Sequence, residues 1–342
     1  MKKNYNNQKN SSFILSFIAI FLVVVAFGGI FMNFSNIKDI FKKLSEDEPP
    51  VETPVEDSTD ENTDELVKQL YCQYDTTISF ESAVGGLKIF IPTYNGYINY
   101  NFIHSKNTSS NCDMWRLGQA FAFDDDLKNS YEITTHGAEW DMALRIVGRD
   151  DFIGGYAHGD EKFTSLTFFI DGVQKDITSI TKLTSFDELT ILETSVGYDP
   201  ADHTTKSLIH RKEFLIDEQG IVLNQRVEWL QDYSLSDGYL AMMPPKKIYT
   251  DRYYTDKNFS PAVIDFALHN NVSRAVLYGT TSNLSFEMSF SVQQSLNDSN
   301  IFQIHDNGGG AYNKMYFYVC RNHEVSAGDV WDTTTVYKIV NG

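Results

Sequence analysis

Residues 283–292 read NLSFEMSFSV. Leu284, Phe286, Met288, Phe290 and Val292 alternate there with Ser285, Glu287, Ser289 and Ser291. Successive side chains of a strand point to opposite faces, whereas a helix repeats every 3.6 residues, so this strict period of two specifies a strand with one buried and one wet face. Further upstream, GIVLNQRVEWL (220–230) places Ile221, Leu223, Val227 and Trp229 on one side. It follows the apolar Phe214-Leu215-Ile216 across the turn Asp217-Glu218-Gln219-Gly220, which predicts a hairpin. LKIFIPTY (87–94), GYINYNFI (96–103), DMALRIVG (141–148), LTFFI (166–170), MYFYVC (315–320) and TTTVYKIV (333–340) read as further strands, separated by Gly, Asn and Asp clusters. No long helical stripe follows residue 70 and no fixed-period repeat is visible, so the expected fold is all-β: a large antiparallel two-sheet sandwich of jelly-roll or supersandwich type over residues 68–342.

The first 67 residues are of a different kind. After a short basic tail (1–12), Phe13–Met32 is a run of 20 residues without charge or proline, long enough to cross a bilayer core of about 30 Å as a helix. It predicts a transmembrane helix or signal anchor over 13–33, the alternative being a cleaved secretory signal. Glu46 to Glu65 holds ten acids, three prolines and no basic residue, which makes 34–67 an acidic tether that cannot bury enough surface to order itself. The expectation is a single-pass protein of the cell membrane with its C-terminal domain extracellular. Of the net −18, residues 1–43 contribute +5 and the tether −10, which leaves −13 on the domain. That charge repels phosphate backbones and argues against a nucleic-acid partner. Cys72, Cys112 and Cys320 are too few for a four-cysteine zinc site, and one disulfide with a spare thiol and three free thiols both remain open.

Three polar clusters carry candidate chemistry. In DFIGGYAHGDEKFTSLTFFIDG (151–172), Asp171-Gly172 signals a two-residue type I′ hairpin turn, and His158, Asp160 and Glu161 precede the strand that enters it. A histidine beside a carboxylate suits a general acid or base near neutrality, and an exposed polar turn is the plainer reading. In THGAEWDMALRIVGRDD (135–151), Arg145 and Arg149 fall on one face of an extended strand and fit a sugar carboxylate, while Trp140 offers a ring for a pyranose. In FQIHDNGGGAYNKMYF (302–317), Gln303, His305, Tyr312, Lys314 and Tyr316 supply the types that β-elimination from a uronate polysaccharide requires: a group that quiets the carboxylate, a base, and an acid for the leaving oxygen. Asp124-Asp125-Asp126 or Asp150-Asp151 would suit a structural calcium ion, and no other cofactor is indicated.

The triplet Gln303-Ile304-His305 resembles that which alginate-type polysaccharide lyases of jelly-roll fold place in their cleft. HRKEFLIDEQGIVLNQRVEWLQDYSLSDGYLAMMPP (210–245) is similar to the sheet region of galactose mutarotase-like sandwiches. The resemblance implies a carbohydrate-active β-sandwich with a polysaccharide or surface glycan as partner. From the three clusters, His158, His305, Tyr316 and Arg145 are the expected catalytic residues of a lyase or epimerase-like enzyme. Trp140, Arg149, Gln303, Tyr312, Lys314, Asp160 and Glu161 are the expected substrate contacts. The alternative is a non-catalytic surface adhesion or glycan-binding module.

Overall fold

The computed structural model describes residues 68–78, 83–135, 140 and 142–342. The basic tail, the apolar run 13–33, the acidic tether, His136 and Glu139 lie outside the described residues. No helix among those described is long and apolar enough to cross a membrane.

The chain runs through β1 (Leu70–Asp75), β2 (Ala83–Thr93), β3 (Gly96–Asn107), β4 (Cys112–Phe123), β5 (Ser130–Glu132), β6 (Ala143–Ile146) and β7 (Phe152–Ile153). A single helical turn, α1 (Gly155–His158), then leads into β8 (Glu161–Ile170), β9 (Val173–Lys175), β10 (Thr184–Phe186), β11 (Leu189–Tyr198), β12 (Lys206–Asp217), β13 (Gly220–Trp229) and β14 (Tyr233–Met243). The last third holds β15 (Arg252–Thr255), β16 (Asn258–Val263), β17 (Ala267–His269), β18 (Arg274–Tyr278), β19 (Leu284–Val292), β20 (Ile301–Asp306), β21 (Asn313–Val325) and β22 (Val330–Asn341).

One sheet is ordered β10-β1-β2-β3-β4-β8-β11-β12-β13-β22-β19-β18-β15-β16, and a second β17-β20-β21-β14-β6-β7. In the first, β4 meets β8 through one parallel pair, Asp113 with Lys162. From that weak joint β1–β5 fold back over the long run β8-to-β16. Phe102 of β3 therefore lies 5.1 Å from Phe214 of β12 and 6.2 Å from Phe168 of β8, ring centroid to ring centroid. The second sheet covers the other end of the same run, with Phe317 of β21 stacked 5.7 Å from Phe290 of β19. The bridge of Thr134 with Pro245, and Lys246 N–H donating to Ile133 O, tie the two covering sheets edge to edge. The result is a two-layer β-sandwich whose core lies between the long run and its two covers.

The local readings hold. In β19, Leu284, Phe286, Met288 and Phe290 are buried, and their alternates face outward. The 214–230 hairpin forms with Asp217 opposite Gly220. The turn at Asp171-Gly172 has φ of 49° and 74°, the positive pair that a type I′ turn demands. All three cysteines are free and buried, and burial pushes the Cys72 and Cys320 thiols up to about 12.

Candidate functional site

The outward face of the β1–β4 cover carries a groove of about 260 Å³. Alternation builds it. On β3 the sequence Ile98-Asn99-Tyr100-Asn101-Phe102 sends the apolar members into the core and the two asparagines to the other side. On β4 a bulge beside Gly118 re-phases the strand, so that Leu117, Ala120 and Ala122 face the core while Gln119, Phe121 and Phe123 join the asparagines. Register then sets two rows across the strands: Gln73, Lys88, Asn101 and Gln119 in one, Tyr71, Phe90, Asn99 and Phe121 in the next. Asp75 and Thr77 close one end and Ser130 the other.

The polar groups of the groove are unequally satisfied. Lys88 Nζ lies 2.7 Å from Asp75 Oδ2. Burial pulls the Asp75 carboxyl up, but Lys88 and the hydroxyl and N–H of Thr77 outweigh it and hold the group down at about 2. Gln119 Nε2 donates to Glu132 Oε1 at 2.8 Å, which leaves its Oε1 and a second N–H to offer a ligand. Asn101 is only 6% exposed and its Oδ1 has no partner. A buried amide oxygen without a partner costs about 1–3 kcal/mol, a cost that a bound donor removes. Amides, aromatic walls and space for one ring suit a polyhydroxylated ligand.

The sequence-predicted residues fall elsewhere. Gln303 pairs with Tyr316 and His305 with Lys314 across β20 and β21, on the face turned away from the core. Arg145 shares that face on β6, but β14 and β21 intervene, roughly 14 Å at the usual strand spacing. His158 is not on a strand: it ends α1, pairs with Asp151 at 2.7 Å and stacks on Phe152, against which Arg145 also lies. The four expected catalytic residues therefore do not converge on one point. Tyr312 pairs with Lys246 in an isolated bridge.

Arg149 does not line up with Arg145, because β6 ends at Ile146 and the chain turns; its guanidinium instead grips Asp199 through two bonds of 3.0 and 3.1 Å. Trp140 is 6% exposed, packed 5.3 Å from the Tyr337 ring, and offers no face to a sugar. Asp160 has φ +59°, not the extended conformation that puts it beside His158, and its buried carboxylate takes bonds from His203 and Asn111. Two of the aspartates considered for calcium make local contacts: Asp124 caps the backbone of Lys128 and Asn129, and Asp151 that of Phe152.

Glu161 belongs to a buried network in the core. Its carboxylate accepts from Ser195 Oγ at 2.6 Å and from Gly155 N at 3.2 Å, with His210 Nδ1 at 3.1 Å and Lys212 Nζ at 3.6 Å. Lys212 Nζ also lies 2.8 Å from Glu193 Oε2. Burial alone raises Glu161, yet Lys212, His210 and Ser195 overbalance it and hold the group well below the usual carboxylate range. At Glu193 burial wins over Lys212 and the carboxyl is raised. Two carboxyls driven apart in this way are the raw material of acid–base chemistry. The adjoining cavity of about 10 Å³, however, holds about one water and no sugar, so the network acts here as polar core.

Sequence reasoning missed the groove, although its signal was present: amides at 99, 101 and 119 share a face with Phe121 and Phe123.

No protein-family model and no curated protein matches the chain. Solved structures do. A galactose mutarotase-like protein from Clostridium acetobutylicum aligns with 80% of this chain and 99% of its own at 9% identity and a TM-score of 0.40. Galactose 1-epimerase from Lactobacillus acidophilus aligns with 79% and 99% at 8% identity and a TM-score of 0.39. Heparinase III aligns over 77% of this chain but only 36% of its own, at 12% identity and a TM-score of 0.37. At TM-scores below 0.5 the likeness decides nothing further about this chain.

Proposed function

We propose that the protein is a carbohydrate-binding β-sandwich that engages one sugar residue of a polysaccharide or surface glycan in the groove on β1–β4. The observation that supports this reading is the unpartnered Asn101 Oδ1 beside Gln119, between the ion pair of Asp75 with Lys88 and the Phe121 and Phe123 rings. The apolar run 13–33 would hold the protein at a membrane and the acidic tether would display the domain outside the cell, as the sequence suggests.

The test is glycan-array binding by the full chain. Asn101→Ala and Phe121→Ala should each weaken the strongest signal at least tenfold, about 1.4 kcal/mol, without loss of the folded state by circular dichroism. Full retention of binding by both variants would remove the groove from the function.

A lyase is the second reading, favoured by Gln303, His305, Lys314 and Tyr316 sharing one outward face. Incubation with uronate polysaccharides should then raise ultraviolet absorbance as unsaturated product forms. A flat trace across the panel eliminates it.

A further inference from the structure

The groove also carries information about which sugars it admits. Resting on the binding reading above, we infer that its ligand is a neutral sugar presenting hydroxyls, and that uronate sugars are excluded because the groove's cation is already committed.

Three observations support this. First, Lys88 is the one cation among the described lining residues, and its ammonium is engaged by Asp75 at 2.7 Å. A ligand carboxylate entering the groove would be stripped of water without gaining a free counter-charge, which is strongly unfavourable. Second, Gln119 spends one of its two amide N–H donors on Glu132, and its Oε1 is an acceptor that takes a hydroxyl proton but repels a carboxylate oxygen. Third, Asn101 stands directly opposite Gln119 in the β3–β4 register. The two ends of its carboxamide exchange by a half-turn of the side chain, one orientation accepting and the other donating. A hydroxyl answers either orientation, because it gives one hydrogen bond and takes others. A carboxylate only accepts, so it answers the donating orientation alone and leaves Oδ1 as orphaned as it is now. Neighbouring hydroxyls on one pyranose ring would meet Asn101 and Gln119 together, with the ring's C–H face toward Phe121.

The selectivity is therefore electrostatic and is held by one residue. Asp75→Asn removes the carboxylate that engages Lys88 and turns its ammonium into a free partner for an acidic sugar.

The experiment titrates the full chain by calorimetry with three pairs of soluble polymers that differ at C6 in a hydroxymethyl group or a carboxylate: glucan and glucuronan, galactan and galacturonan, mannan and mannuronan. The expected result is that at least one neutral polymer binds, at least tenfold more tightly than its uronate twin, and that Phe121→Ala abolishes the difference. In Asp75→Asn the affinity for that uronate relative to its neutral twin should rise at least tenfold, and the double variant Asp75→Asn/Lys88→Gln should lose the rise. Uronate binding by the unmodified protein as tight as that of the neutral twin, and sensitive to Phe121→Ala, overturns the selectivity while the groove reading stands. An unchanged ratio in a folded Asp75→Asn protein also overturns it. Binding indifferent to Phe121→Ala, or none to any of the six polymers, overturns the groove reading and the selectivity with it.

Discussion

Glu161 and Glu193 share one lysine that lowers both, yet burial outweighs it at Glu193 and their net shifts run in opposite directions. The folded-state value of Glu161 lies below that of an unfolded chain, near 4.3, so its stabilisation is fully present above that pH and is lost as the pH falls through the folded value. Glu193 is raised, so the fold favours its protonated form and its contribution declines as the pH climbs above about 4.3. Replacing the two carboxyls should therefore have unequal effects at pH 7. Glu161→Ala leaves Lys212 and His210 buried beside a missing anion and should cost about 3–5 kcal/mol. Glu193→Gln swaps a group that burial favours in the neutral form for a neutral one of similar shape, and should cost less than half as much. Urea denaturation at pH 7 orders the two, and the reverse order would refute the protonation assignment.

At the scale of elements, glycines mark where strands are joined under constraint. At Gly172 φ is +74° and an added Cβ meets nothing within 4 Å, so Gly172→Ala should cost only the left-handed backbone term of about 1–2 kcal/mol. Gly159 has φ +79°, and an added Cβ would stand 1.6 Å from the Ser110 carbonyl oxygen, inside its atomic radius. Gly159→Ala must therefore displace the β8 entry and should lower the melting temperature well beyond Gly172→Ala; equal shifts would show the entry to be pliable. The contrast also explains what was legible in the sequence. Asp171-Gly172 could be read because a two-residue turn is fixed by its own dihedral angles. The 155–161 segment could not, because α1 and the left-handed Asp160 depend on the carbonyl of Ser110, 49 residues before Gly159. Alternation fixed β19 and the 214–230 hairpin for the same local reason. It also put Asn99 and Asn101 on a common face, but alternation states which residues share a face and not whether that face is open. Arg145 and His158 both come to Phe152, whereas Gln303 lies three strands from Arg145, a separation that strand order alone decides.

Across the whole molecule, order in space departs from order in sequence. The final strand, β22, sits between β13 and β19 in the interior of the long run, with eight register pairs to the first and nine to the second. Its Trp331 packs 5.3 Å from Trp229, and its Tyr337 lies under Trp140. Removing β22 exposes two strand edges and opens the core, so a chain ended before Val330 should show no cooperative thermal transition. A sharp calorimetric peak from that truncated chain would mean that the remaining strands close without it.

A ribosome delivers residues in order, at roughly 5–20 per second, and β22, the central plank, arrives after every other described strand. β1–β5 can pair among themselves long before then, yet the surface they must lie against is still missing its middle. Every nascent copy thus passes through a stage in which two half-sheets wait with oily faces uncovered. A message cut short anywhere before codon 330 yields a chain held at that stage, a ready substrate for chaperones and proteases. Because β22 follows every other described strand, the run from β8 to β16 closes only once residues 330–341 have been made.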